Sequence, residues 1–177
     1  QRRDGTVLAT LWSNIMLPDG EIMNIGVDIT ERKRAEDLLA FQATTDALTH
    51  CYNRLAILEQ LQQRIDGCRA EQRDTHFAMV MIDLDHFKDI NDRWGHAVGD
   101  EALVYFCQQI REQCLGQPAL GRLGGEEFLL LLPVADADGA IAFTDQLRAR
   151  LKVAPFTMGE VSLMLSFSAG VTVVCHN

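Results

Sequence analysis

Two glycines and two glutamates, Gly124-Gly125-Glu126-Glu127, stand between two apolar runs, Ala119–Leu123 and Phe128–Leu132. Apolar runs of strand length around a glycine pair read as an antiparallel hairpin, because glycine reaches positive φ without a Cβ clash. A lone hairpin is marginal in water, so the rest of the chain has to add strands and a covering layer. From Asp46 onward the pattern does so. Arg54–Arg69 reads as a helix with Leu55, Ile57, Leu58, Leu61 and Ile65 on an apolar face. His76–Asp83 reads as a strand with an apolar run through Met81-Ile82, and Ser162–Val174 as one long strand. Gly99–Leu115 and Ala135–Leu151 read as helices. This order predicts an α+β domain, with a mixed, largely antiparallel sheet flanked by helices.

The first residues follow another pattern. Thr6–Asn14 and Glu21–Asp28 predict two strands around the turn Pro18-Asp19-Gly20. Thr30 is placed to cap a helix that begins near Glu31. Leu38, Phe41, Thr45 and Leu48 recur at three- and four-residue steps. That stripe suits either pairing with a second copy or a linker helix lying on its own domain. The expected division is residues 1–30, a linker helix over 31–44, and a domain over 45–177.

Composition narrows the function. Hydrophobic residues make up 47% of the chain, which suits a folded core. A net charge of -9 argues against a nucleic-acid partner, which needs a basic surface. The five cysteines (Cys51, Cys68, Cys107, Cys114, Cys175) form no CxxC pair and read as reduced thiols of a cytoplasmic protein. No apolar run reaches the ~20 residues of a membrane-spanning helix. A chain that starts at Gln1 is expected to be a fragment, which leaves an upstream membrane anchor open.

Two acidic clusters carry the candidate chemistry. In one, the apolar strand ends in Asp83-Leu84-Asp85-His86-Phe87-Lys88. The other is Gly124-Gly125-Glu126-Glu127, where the glycines also allow a ligand to approach the backbone closely. If the two strands are neighbours, Asp83 and Glu126 are placed to share a Mg²⁺, which takes one or two carboxylates plus substrate phosphates. The bland alternative makes them solvated turn acids. Between the clusters, Asn91 and Asp100 are candidates for reading guanine, whose N1–H and N2–H can both donate to one carboxylate. Asp100 also reads as the N-cap of the helix after it. Walker A, GxGxxG, GxSxG and HExxH patterns are absent, and His86 and His96 are not at metal-ligand spacing.

These residues resemble the GGDEF diguanylate cyclases. Gly124-Gly125-Glu126-Glu127-Phe128 looks like the GGEEF variant of the signature. Asp83 to Asp92 with Gly95-His96 and Gly99-Asp100 resembles the family's D-x-D-x-F-K-x-x-N-D…G-H…G-D block. Asp46-Ala47-Leu48-Thr49 with Asn53-Arg54 is similar to its D-x-L-T…N-R start, and Ser168-Ala169-Gly170-Val171 to its late S-x-G-[IV] strand. Residues 1–34 resemble the end of a PAS/PAC sensor domain, through Arg3-Asp4-Gly5, Gly26 and Asp28-Ile29-Thr30-Glu31-Arg32-Lys33. The resemblance implies a palm-like nucleotidyl-cyclase fold, preceded by a two-stranded PAS remnant. It implies condensation of two GTP into cyclic di-GMP and pyrophosphate across a two-fold homodimer. Carried over, Asp83, the Leu84 carbonyl and Glu126 would hold Mg²⁺ (or Mn²⁺). Glu127 would bind metal or assist deprotonation of the 3′-OH, and Lys88 would hold phosphate. Asn91 and Asp100 would read guanine, and Gly124 and Gly125 would let the turn sit against the phosphates.

The chain departs from the family in three places. Leu115-Gly116-Gln117-Pro118 stands where many members carry an inhibitory R-x-x-D site, so no product inhibition is expected there. The family continues past the late strand into a helix whose lysine and arginine bind phosphates. This sequence stops at Asn177, so weak GTP binding or lost activity is expected of it. His50-Cys51 replaces the usual Gly-Leu, with a local effect expected. The alternatives weighed against a PAS-regulated cyclase are a catalytically silent GTP-binding module, a cyclic di-GMP receptor and a pure interaction module.

Overall fold

The computed structural model describes residues 7–70, 76–114, 119–133 and 136–174. The chain divides into two compact units, Gln1–Ala43 and Thr44–Asn177.

In the first unit, β1 (Thr10–Met16) pairs antiparallel with β2 (Ile22–Asp28). Gly20 takes φ 84° in the connecting turn. Both strands are exposed throughout. β1 starts and ends later than the sequence pattern suggests, and Thr6 lies outside the described residues. α1 (Thr30–Thr44) follows. Thr30 is its first residue, and the Thr30 hydroxyl accepts from the Ala9 amide at 3.0 Å. Asp28 accepts from the Thr30 amide, also at 3.0 Å. The expected apolar stripe breaks as well. Leu38 and Phe41 lie on α1, but Thr45 leaves it for a bridge to Tyr52, and Leu48 sits in a turn.

The second unit is built on a four-stranded sheet in the order β4-β5-β3-β8, every neighbouring pair antiparallel. These strands are β3 (Phe77–Leu84), β4 (Ala119–Gly124), β5 (Glu127–Leu132) and β8 (Phe167–Val174). One parallel bridge joins Tyr52 to Gly121. The helices are α2 (Arg54–Ala70), α3 (Phe87–Trp94), α4 (His96–Gln113) and α5 (Ala137–Val153). A short hairpin, β6 (Phe156–Met158) and β7 (Val161–Leu163), precedes β8. The architecture is the expected α+β one.

Side-chain alternation decides which face of the sheet is covered by what. Ala78, Val80, Ile82 and Leu84 of β3 point to one face, with Phe128, Leu130 and Leu132 of β5. There they meet Ala102, Leu103, Phe106, Cys107 and Ile110, spaced as one helical stripe on α4, and Leu147 and Leu151 of α5. Each large side chain buried this way stabilises the fold by roughly 1.5–3 kcal/mol. α5 starts cleanly, since Asp136 accepts from the Gly139 amide at 2.9 Å.

On the other face, Phe77, Leu129 and Leu131 pack with Ile57 and Cys68 of α2. α2 approaches β4 so closely at Gly121 that any Cβ there would run into Ile57. Of the apolar face expected for α2, Ile57 is buried and Leu61 and Ile65 are partly so, but Leu55 and Leu58 are exposed. This face is only half covered. Met81, Asp83, Glu127, Ser168 and Gly170 remain exposed at its far end.

Two further expectations change. Asp100 lies inside α4, whose N-cap is Gly95, so it is not a helix cap. The long strand over Ser162–Val174 is two strands, because β7 pairs back onto β6 around Gly159 (φ 59°). The Ser166 carbonyl in the break accepts from the Asp85 amide at 3.0 Å.

Candidate active site

The exposed end of β3 lies between two neighbours. Asp83 faces Glu127 of β5 on one side and Ser168 of β8 on the other. The Leu84 amide donates to the Glu126 carbonyl at 3.3 Å, which ties the end of β3 to the glycine turn. Gly125 sits at φ 51°, and Gly124 at φ 153° beside an irregularity in the β4–β5 register. Asp83, Glu127, Ser168 and Gly170 line a cleft of about 250 Å³ together with Met81, Ile82 and Ala169.

This end is electrostatically strained. Partial burial and the charges of Glu126, Glu127 and Asp85 push the Asp83 carboxyl above its ordinary range. Asp85 behaves oppositely. The Ser168 hydroxyl donates to it at 2.8 Å and holds its carboxyl below the usual range, assisted by Ser166. The carboxylates are close enough to repel one another. Among the described residues, no three His, Cys, Asp or Glu side chains are grouped so as to hold a metal ion by themselves.

Asn91 and Asp100 form a second group. Asn91 lies on α3 and Asp100 on α4, joined by the Gly95 turn, where the Gly95 amide donates to the Asn91 carbonyl at 2.8 Å. Asn91 Oδ1 rests against Gly99, in space that a Cβ would take. Lys88 is exposed in the first turn of α3. Among the described residues, no side-chain hydrogen bond or ion pair ties Lys88, Asn91 or Asp100 to the carboxylates. The stretch Leu115–Pro118, where an inhibitory site was sought, lies outside the described residues.

Behind the glycine turn is a brace that spacing alone did not reveal. Asp46 Oδ1 accepts from the Thr49 amide at 2.9 Å and the Thr49 hydroxyl at 2.7 Å, and pairs with Arg122 at 3.3 Å. Arg122 Nε donates to the Gly125 carbonyl at 2.8 Å. The D-x-x-T spacing was a usable signal for the Asp46–Thr49 turn. Nothing local marks Arg122 as its partner.

A family model described as the GGDEF domain of diguanylate cyclases matches residues 43–177. The chain belongs to the GGDEF family. Its GGDEF unit is 40% identical over 113 residues to a probable diguanylate cyclase, DgcC of Escherichia coli K12, covering 64% of this chain and 29% of that protein. It is 34% identical over 131 residues to the diguanylate cyclase DgcP of Pseudomonas aeruginosa, covering 74% and 19%. The chain thus spans less than a third of either relative. Among solved structures, the coiled coil and GGDEF domain of DgcB from Caulobacter crescentus, in complex with c-di-GMP, matches with a TM-score of 0.73 at 25% identity, covering 81% of this chain and 76% of that one. The diguanylate cyclase SiaD of Pseudomonas aeruginosa, in complex with its activator SiaC, matches at 0.67 and 32% identity, covering 81% and 56%. Among the described residues of the GGDEF chain, no helix is long and apolar enough to cross a membrane.

Proposed function

We propose that this chain is the catalytic part of a diguanylate cyclase. It binds GTP, and two copies meet so that the 3′-OH of each GTP attacks the α-phosphate of the other. Each attack forms a 3′-O–P bond, breaks the bond to pyrophosphate and releases the hydroxyl proton, leaving cyclic di-GMP. The observation that carries this reading is Asp83, crowded by Glu126, Glu127 and Asp85 at the uncovered end of the sheet, beside the glycine turn. Carboxylates crowded in this way suit a divalent ion.

Asp83, Glu126 and the Leu84 carbonyl would hold that ion, Mg²⁺ or Mn²⁺. When bound, it withdraws charge from the reacting phosphate. Glu127 would bind metal or take the 3′-OH proton, and Lys88 would hold phosphate. The glycines keep side chains away from the phosphates, so the turn can approach them. Asn91 and Asp100 read guanine; a carboxylate facing adenine would find no donor pair, and such a mismatch costs selectivity. Residues 1–30 are read as the end of a PAS/PAC sensor, residues 31–44 as its signalling helix and residues 45–177 as the cyclase domain, with GGEEF as its signature. The diguanylate cyclases among the relatives support this reading.

The test is incubation of the full-length protein that carries this chain with GTP and Mg²⁺, beside its Glu126→Ala, Glu127→Ala variant, with chromatography for cyclic di-GMP. Product from the first and none from the second is expected. GTP binding without product from either would replace this reading with a silent GTP-binding module.

A further inference from the structure

The turn that carries Asp46 also carries Cys51, and Cys51 faces a second thiol. Cys51 and Cys107 are 3% and 0% exposed and belong to one core cluster. They come from distant parts of the chain, Cys51 from the turn and Cys107 from α4, and each thiol is the first influence on the other's proton affinity. Arg111 lies one helical turn beyond Cys107 on the same face of α4. Its Nη2 stands 3.2 Å from Cys51 Sγ and 2.9 Å from the Thr49 carbonyl. Cys51 lines a cavity of about 350 Å³ together with His50, Gln60, Arg64 and Arg111. Two thiols buried in one cluster, a guanidinium on one sulfur and a cavity against that sulfur are the parts of a reactive dithiol.

We propose that Cys51 and Cys107 form an oxidant-sensitive pair, which hydrogen peroxide converts to a disulfide through a sulfenic acid on Cys51. In the first step the Cys51 thiolate attacks one oxygen of the hydrogen peroxide. An S–O bond forms, the O–O bond breaks, and hydroxide leaves and takes up the proton the thiol had released. In the second step the Cys107 sulfur attacks the sulfenic sulfur. The S–S bond forms and water leaves with the Cys107 proton. Two thiols are oxidised, and one peroxide is reduced to two waters.

The electrostatics favour this division of labour. Cys107, with Arg111 and Thr49, lowers the Cys51 thiol's proton affinity against the opposing effects of burial and Asp46. Cys51 and burial push the Cys107 thiol up. Cys114 is an internal control, because burial alone pushes its thiol up. The location also matters mechanically. The Cys51 carbonyl accepts from the Asp46 amide at 2.8 Å. A covalent bond to α4 therefore clamps the turn whose carboxylate holds Arg122.

The test treats the folded chain with hydrogen peroxide, alkylates the remaining thiols and maps peptides with and without reductant. A reducible Cys51–Cys107 cross-link lighter by two hydrogens is expected, before Cys114 is modified. In Cys107→Ser, dimedone should instead trap a sulfenic acid on Cys51. In Arg111→Met, Cys51 oxidation should slow by about tenfold. Cys51 oxidised no faster than Cys114, or a Cys51 sulfenic acid that persists while Cys107 is present, overturns the proposal. If a variant fails to fold, the cross-link map of the unmodified sequence decides alone.

Discussion

Asp46 is tied to the glycine turn through Arg122 and Asp83 adjoins it at the end of β3, and their surroundings push them in opposite directions. Burial alone would raise the Asp46 carboxyl, but two Thr49 bonds and Arg122 outweigh it and hold the group below its ordinary range. Burial also raises Asp83, and there Glu126, Glu127 and Asp85 add to it. One carboxylate has its partners within the protein and strengthens the fold. The other is kept among like charges, which folding alone does not require. Such crowding is how sites poised for an external cation are built.

The sharpest way to break this comparison is Asp83→Asn. Under the proposed function it removes an anionic ligand and several kcal/mol of charge stabilisation, so cyclic di-GMP formation should fall by about a hundredfold or more. The melting temperature should hold or rise, because a repelled charge has gone. Activity assays and thermal melts on the same samples check both. If activity and stability fell together, Asp83 would belong with Asp46 as a structural group.

Arg122→Ala probes the other side. It removes the pair with Asp46 and the bond to the Gly125 carbonyl, both at a site where Arg122 is only 16% exposed. Hydrogen bonds to charged groups are worth about 1.5–3 kcal/mol, and a loss of that size should appear in urea unfolding. Arg122→Lys keeps the charge but loses the planar fork, so it should recover only part of the loss.

The two sides were not equally legible in the sequence. The acidic end was, because Asp83 closes an apolar run, Glu126 stands in the turn between two others, and the glycine pair forces that turn. The sequence could not say that β5 lies beside β3, on which the meeting of these residues depends. The brace was hidden because Asp46 and Arg122 are 76 residues apart and only the fold joins them. α3 was missed because Lys88, Asp89, Asp92 and Arg93 mask the short apolar pattern of Phe87 and Ile90, and because it follows a left-handed His86. The Ser162–Val174 run looked like one strand because β-propensity carries no signal for pairing back onto β6.

Acid should narrow the difference between the two regions. A carboxyl depressed in the folded state adds stability above its unfolded value, lost as pH falls through the lower folded value. Asp46→Asn should therefore destabilise the chain at neutral pH, and less and less below about pH 4, the ordinary aspartate range. Asp83 has the reverse sign, since its raised carboxyl penalises folding as pH climbs through the folded value. Melts of both variants against the unaltered chain, from neutral pH downward, should converge. A gap for Asp46→Asn that stayed constant into acid would mean packing, not charge, makes Asp46 structural.

The smallest effect is expected at Gly99→Ala, which asks whether the group proposed to read guanine can be disturbed apart from both carboxylates. The new Cβ meets Asn91 Oδ1, the far end of a side chain that can rotate away. Alanine also favours a helix over glycine by about 1 kcal/mol, so the stability change should stay within that size. A displaced Asn91 amide loses one hydrogen bond to the base, worth about 1 kcal/mol, so KM for GTP should rise roughly fivefold with kcat little changed. Steady-state kinetics with GTP separates the two constants. An unchanged KM would remove Asn91 from base recognition and leave its contact with Gly99 as the packing of α3 on α4. A fall in kcat with KM constant would instead tie the Gly95 turn to the acidic end, and the two regions would no longer be separable.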